Sequence, residues 1–199
     1  MSAPAAAEAR HAAVGRLAAP VTVLTVCHAG QVHGTTVSAL TQLSRTPALM
    51  AAGLKEGSHL AHLALAEGRF AVNVLSGGQS ALARRFADPS RPPGAAQFDG
   101  LARRRDPYSG APLLEGALAH YACRVRGSFV VGDHEVLLGL VVRADGGPPG
   151  VPLLSYDGEL CAGAPGPATD LARTPYPTAF PVVPVFPAIR SLEKEKAAL

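Results

Sequence analysis

The hydroxyl-bearing residues Thr35, Thr36, Ser38, Thr41 and Ser44 stand among small and aliphatic neighbours in the segment 34–47, GTTVSALTQLSRTP. Little side-chain bulk lies between them, so a flat ligand can approach the backbone while the hydroxyls serve a polyoxygenated edge. The following run ALMAAGL is apolar and of strand length, and it leads into KEGS, where Lys55 and Ser58 join turn-forming Gly57. Strand followed by an anion-facing loop is the expectation.

Several other chemistries lack their parts. The string LSGGQ at 75–79 matches the signature of ATP-binding-cassette ATPases, yet such enzymes need a G-x-x-x-x-G-K-[ST] loop around the phosphates. Lysines occur only at Lys55, Lys194 and Lys196, none preceded by Gly. A G-x-G-x-x-G dinucleotide loop and a G-x-S-x-G nucleophile elbow are both missing. His59 and His62 are three apart, which places both on one side of a helix, but no third ligand accompanies them and no metal site is assigned. His28 and His33 flank a turn and read as exposed hairpin residues. Cys27, Cys123 and Cys161 are odd in number and widely spaced, which reads as buried, reduced thiols rather than a disulfide framework.

The chain of 199 residues is 48% hydrophobic, enough for one domain with a sizeable core. Its net charge of +3 and pI near 9.0 suit phosphorylated small molecules as well as nucleic acid. Only 5% of residues are aromatic, and the cluster Arg103-Arg104-Arg105 has no interleaved aromatic on which a base would stack. Nucleic acid is therefore not an expected partner, and the cluster reads as a solvated loop. Glu8, Arg10, His11 and Arg16 interrupt the Ala-rich start before a signal-peptide core forms. No apolar run reaches membrane-spanning length, so no membrane partner is expected and the localisation expected is cytoplasmic.

The elements that must position these residues are mainly strands. A short helix is expected over 5–17, within an N-terminal segment 1–20. VTVLTVC at 21–27 is rich in β-branched residues and turns at 28–31 into a second strand. HLAHLALAEG carries Leu60, Leu63 and Ala64 on one helical face with Gly68 as its stop. RFAVNVL at 69–75 is a strand, Ser76 caps a helix running through Arg85 and Phe86 to Asp88-Pro89, and SRPPGAAQFDG is a loop. The stretch from Leu113 gives two or three antiparallel strands, with breaks at Gly127-Ser128 and at 132–134. Strands dominating from 21 to 156 favour a closed antiparallel barrel over a parallel sheet. After Gly158 the composition changes, and Pro181, Pro184 and Pro187 recur with the three-residue turn of polyproline II. The domain boundaries expected are 21–160 for the barrel and 161–199 for a Pro-rich arm or tail.

The segments GTTVSALTQLSRTP at 34–47, the Gly57-Ser58 loop, FAVNVL at 70–75, Gln79 through RFA at 85–87, GAPLL at 110–114 and GDHEVLLGLV at 132–141, in that order, resemble the flavin reductase-like proteins. The resemblance covers about three quarters of the chain. It implies an antiparallel Greek-key split β-barrel, mainly β with a few helices, that forms a homodimer. It implies FMN or FAD as the flavin, NADH or NADPH as hydride donor, and a separate monooxygenase that receives the reduced flavin. Carried over by position, Thr36, Val37, Ser38 and Ala39 line the isoalloxazine. Ser44, Lys55, Ser58 and His59 lie near the ribityl chain and phosphate, with Arg85 as a further phosphate partner. His134 stands where the family has a histidine close to flavin and nicotinamide.

Three positions depart from the family pattern. Leu40 stands where Phe is common, Leu60 where Thr often serves the phosphate side, and Thr46 replaces the first of a frequent Pro pair. The residues leave open FMN against FAD and NADH against NADPH. They also leave open two other uses of the barrel: an enzyme acting on an organic substrate with flavin tightly held or absent, and a non-catalytic flavin-binding module.

Overall fold

The computed structural model describes residues 13–163. Most of the expected N-terminal helix and nearly all of the expected Pro-rich arm, including Pro181, Pro184 and Pro187, lie outside the described residues.

Alternating Val and Thr make β2 (Thr22–His28), which folds back on β3 (Gln31–Val37) in a register running from Thr22 opposite Val37 to His28 opposite Gln31. Ala29 and Gly30 form the two-residue turn, both with positive φ, as a hairpin twisted with its strands requires. A second hairpin joins β4 (Leu40–Arg45) to β5 (Ala48–Lys55). Two long strands, β9 (Ala119–Val131) and β10 (His134–Gly146), link the hairpins through β6 (Arg69–Val74) into one antiparallel seven-stranded sheet of order β3-β2-β6-β9-β10-β5-β4. The fold is thus the mainly β, antiparallel split barrel that the resemblance implied.

Closure follows from chain length. Edge strands β3 and β4 are joined by Ser38 and Ala39 alone, and three peptide steps reach at most about 11 Å. A flat sheet of seven strands would hold its edges roughly 29 Å apart. The sheet must therefore curl until its edges meet at that end, and Gly53 N–H donates to Ala39 O at 2.7 Å across the junction.

The helix α1 (His59–Glu67) plugs the barrel with Leu60, Ala61 and Ala64 and stops at Gly68, whose φ of 74° and N–H bond to Ala64 O close its last turn. Ser76 opens a short 3₁₀ turn, its N–H received by Gln79 Oε1 at 3.0 Å, and α2 (Ser80–Ala87) continues from it. β2 is buried on both faces: Leu24 and Val26 point into the barrel beside Phe70 and Leu137, while Val23, with Val21 just before the strand, packs with Phe86 and Phe98 under α2. Gly139 is there because a Cβ would lie 2.6 Å from Phe70 Cζ.

A three-stranded sheet of β1 (Ala19–Pro20), β11 (Leu153–Tyr156) and β12 (Glu159–Ala162) covers one flank, and β7 (Arg103–Arg105) pairs with β8 (Pro112–Leu114). None of the described helices is long and apolar enough to cross a membrane.

Four local expectations are corrected. Arg103-Arg104-Arg105 is a strand, because its backbone pairs with Leu114, Leu113 and Pro112 while the side chains stay exposed. The segment 90–100 holds a 3₁₀ helix, Gly94–Phe98, that buries Gln97 and Phe98. Gly127 does not end a strand, since pairing resumes past a register shift there and Arg126 is the extra residue of a bulge. Of the cysteines only Cys123 is buried, with its thiol pushed up to about 12 by desolvation and the nearby Asp106 carboxylate, whereas Cys161 is exposed.

Asn73 ties three segments together inside this core. Fully buried, it donates to Val23 O at 3.0 Å and Thr25 Oγ1 at 3.3 Å and accepts from Leu114 N–H at 2.7 Å. Asn73→Ala strands a buried N–H and a carbonyl, so a loss of roughly 2–4 kcal/mol is expected. Urea unfolding checks this: the midpoint falls with the slope unchanged.

Candidate functional site

The junction of the two sheet edges creates a groove of about 490 Å³ on the outer face of the barrel. Ser38, Ala39, Leu40 and Thr41 form one wall, the segment 17–20 the other, and Ala51, Gly53 and Val136 the floor. The floor is low because Gly53 has no side chain: a Cβ there would stand 3.0 Å from Ala39 Cβ. Gly inside a strand marks such a close approach, and this signal was present in ALMAAGL although sequence reasoning passed over Gly53 and Val136.

Register carries the groove toward charged residues. Ala51 lies opposite Leu138, Gly53 opposite Val136 and Lys55 opposite His134, and alternate residues of a strand share a face. Ala52, Leu54 and Leu137 occupy the inward face and are buried. Lys55 and His134 therefore stand one step beyond the Gly53–Val136 pair on the groove side, with Cβ atoms of opposed residues about 5 Å apart. The turns that carry them are pinned together, since Glu56 N–H donates to Asp133 O at 3.1 Å. His134 Nδ1 meets Asp133 Oδ1 at 2.8 Å. That hydrogen bond, with the charges of His134 and Lys55, holds the Asp133 carboxyl below its usual range. With Nδ1 oriented by the carboxylate, Nε2 is the ring nitrogen left for a ligand.

Beside Lys55, Ser58 begins α1 without using its hydroxyl as a cap, and no acidic residue stands in the first turn. Free N–H groups at the positive end of a helix, next to a lysine, suit an anion. Leu60 removes nothing from this loop: its side chain is wholly buried in the barrel core, where a hydroxyl would be a burden.

The structure brings Ser38, Ala39, Lys55 and His134 onto one face and places Ser58 at the adjoining turn. Other expected site residues stand elsewhere. Thr36 Oγ1 donates to Ala83 O at 2.7 Å, so its hydroxyl is committed to α2. Val37 is 3% exposed and belongs to the core, leaving only its backbone for a ligand. Ser44 pairs with Leu49, six residues from Lys55 along β5 or roughly 20 Å by strand rise, so one phosphate cannot touch both. Arg85 Nη2 donates to Asp99 O at 3.0 Å and to Ala96 O at 3.5 Å, which fastens the guanidinium to the 94–99 turn. Spacing alone could not reveal these, because each partner lies on an element distant in sequence.

His59 is exposed and meets His33 edge to face, with ring centroids 4.9 Å apart. His33 is not the exposed hairpin residue expected: it is half-buried beneath Arg91 and Gln97. Desolvation, reinforced by the charges of Arg91 and His59, pushes its ring down to about 4. His28, at the hairpin end of β2, meets Glu67 at 3.1 Å. A groove of similar size, about 500 Å³, opens near Cys27, Arg69, Arg105 and Tyr108, but none of the expected site residues lines it.

The family profile described as "Flavin reductase like domain" matches residues 14–164, and the chain belongs to that family. Among its relatives, a protein of Streptomyces viridifaciens named NADPH-flavin oxidoreductase is 39% identical over 70% of this chain and 72% of its own length. The reductase component of a 4-nitrophenol 4-monooxygenase/4-nitrocatechol 2-monooxygenase of Rhodococcus opacus is 36% identical over 74% of this chain and 76% of its own. Among solved structures, an NADH:FAD oxidoreductase of Streptomyces globisporus in complex with NAD and FAD fragments superposes with a TM-score of 0.75 at 31% identity, over 85% of this chain and 99% of that one.

The depressed His33 has a consequence for stability. Its folded value near 4 lies below the ordinary 6.5, so between those two values the unfolded chain binds more protons. The neutral ring therefore contributes stability that is complete above pH 6.5 and is lost as pH falls through 4. Urea midpoints measured from pH 7.5 to 4.5 are expected to decline less steeply for His33→Asn than for the wild type. Identical slopes would show that His33 is not held neutral by its surroundings.

Proposed function

We propose that this protein is an NAD(P)H-dependent flavin reductase that supplies reduced FMN or FAD to a separate flavin-dependent monooxygenase. One observation carries the reading: a groove floored by Ala51 and Gly53, with Lys55 and His134 paired one register step beyond Gly53 and Val136. A flat ring needs the bare floor, and a phosphorylated tail needs the cation and the uncapped helix start beside it. The residues present fit a flavin on that ground. Family membership and the relatives' names, which include both flavin oxidoreductases and reductase components of two-component monooxygenases, support the same reading.

The chemistry a flavin supplies here is acceptance of hydride from NAD(P)H, giving NAD(P)⁺ and, with one proton, reduced flavin. The chain contributes position and charge. Ser38 and the backbone of Val37 and Ala39 would border the ring, and the bare floor at Gly53 would leave room for it. Lys55 and Ser58 would hold the phosphate. His134, oriented by Asp133, presents Nε2 where a nicotinamide would stack, and it fixes approach rather than transferring a proton. The groove is open along one side, which suits a flavin that leaves as product.

A homodimer fits the surface around this site. Phe129, Val130 and Val131 end β9 at 39%, 57% and 56% exposure, and Val131 pairs directly with His134. Three consecutive exposed apolar residues beside the groove favour a second copy as their cover.

Three measurements test the reading. Purified protein is expected to oxidise NADH or NADPH only when FMN or FAD is added, and background rates with every flavin would sink the assignment. Gly53→Val raises the floor, so flavin affinity is expected to fall at least about tenfold by titration, with urea stability lowered by roughly 1–3 kcal/mol because the new side chain crowds Ala39. His134→Ala is expected to cut kcat/KM for the nicotinamide about 10- to 100-fold while leaving flavin affinity unchanged. An unaltered rate would remove His134 from the site.

A further inference from the structure

His33 sits in a cluster that contains more hydrogen-bond donors than acceptors. Gly34 N–H donates to Gln97 Oε1 at 3.0 Å, which fixes the amide so that Gln97 Nε2 donates to His33 Nδ1 at 2.8 Å. A neutral imidazole accepts at one nitrogen only, so Nε2 must carry the proton. Yet Nε2 faces Arg91 Nη2, a second donor, at 3.3 Å. Turning the amide over frees Nε2 to accept but leaves the buried Gly34 N–H against an NH₂ group. Either way one donor lacks its acceptor.

Arg91 makes the imbalance larger. Its Nη1 donates to Asp88 O at 2.7 Å, its Nη2 lies 3.5 Å from Thr35 Oγ1, and its Nε is buried with no partner at all. It is the one buried side-chain nitrogen or oxygen without a partner among the described residues. The Asp88 carboxylate is turned to Ser90, accepting its N–H at 2.8 Å and its hydroxyl at 2.6 Å. Among the described residues Arg91 has no ion pair, and the exposed His59 ring against His33 adds another N–H. A guanidinium held only by neutral groups, with donors converging on it from β3 and α1, lacks one component: an anion.

We propose that Arg91, His33, His59 and Thr35 form a binding site for a phosphoryl oxyanion. Three equatorial oxygens of such a group would take Arg91 Nη2, His33 Nε2–H and His59, resolving the conflict at His33. The groups facing His33 are Arg91 from the loop after α2, Gln97 from the 3₁₀ turn, His59 from α1 and Thr35 on its own strand; Arg91 and His59 are the charged or titratable ones, and both disfavour protonation of the ring. A bound anion would reverse that balance. The source of the phosphoryl group, whether the 2′-phosphate of NADPH or free phosphate, rests on the flavin reductase reading, while the site itself does not.

Inorganic phosphate titrated into the wild-type protein, followed by the histidine C2–H resonances, tests the site without any activity. Saturable shifts of the His33 and His59 signals are expected, together with a rise of the His33 titration midpoint by one unit or more. Arg91→Gln, which keeps the length and removes the charge, is expected to abolish both. No saturable shift in the wild type up to tens of millimolar phosphate, or equal shifts in the variant, would overturn the proposal. If the site binds phosphate, steady-state kinetics assign the source. A roughly tenfold rise in KM of Arg91→Gln confined to NADPH against NADH indicates the 2′-phosphate. The same rise confined to FMN or FAD against riboflavin would overturn the proposal of a site separate from that of the flavin phosphate at Lys55 and Ser58. A phosphate effect on the spectra with every one of these KM values unchanged indicates free phosphate.

Discussion

The two-residue link between β3 and β4 is the constraint on which the rest of this structure depends. Ser38 and Ala39 join strands that lie at opposite edges of a seven-stranded sheet, so the sheet can exist only if it curls. Curling makes an inner face, filled by Leu24, Val26, Phe70 and Leu137 and plugged by α1. It also draws Ala39 against Gly53, and the resulting junction is both the seam of the barrel and the wall of the groove. The groove is thus a by-product of closure. Its floor at Gly53 is tied to Ala39 by a backbone hydrogen bond, so the groove is formed before anything enters it.

Charge is distributed around that seam without being neutralised in the core. The buried polar residues Thr22, Thr25 and Asn73 all find backbone or side-chain partners, as the low dielectric requires. Lys55 and His134 instead stand at a strand end, where solvent moderates their charge and a ligand can compete for it. Arg85 shows the contrasting use of a cation: its guanidinium fastens the 94–99 turn through carbonyls and so supports Phe98 beneath α2. Arg91, a few residues further on, also reaches a carbonyl and a hydroxyl, but its buried Nε has no partner.

Local periodicity made most of the elements legible. Alternating Val and Thr in 21–27, the apolar run of β5, the Leu60–Leu63–Ala64 face with Gly68 behind it, and the long apolar stretch from Leu113 all specify their own conformation within a few residues. Order along the chain, compared with a known family, then supplied the barrel and a set of candidate site residues, of which the structure pairs Lys55 with His134 although 79 positions separate them.

What the amino-acid sequence determined by itself was therefore element type, hydroxyl-rich and anion-facing segments, and family. Which hydroxyl remains free was decided only in three dimensions. Thr36 and Ser38 look equivalent in GTTVSAL, yet Ala83 O takes the hydroxyl of one and leaves the other on the groove wall. Lys55 and Ser44 both stand near the phosphate in the family resemblance, but pairing with Leu49 sets Ser44 opposite the far end of β5. His33 looks like an exposed turn residue until Arg91 and Gln97 cover it from a segment that reads as open loop. The physical reason is common to all three: a polar side chain's role depends on which acceptor or donor reaches it first, and those partners come from elements dozens of residues away, placed by closure of the sheet.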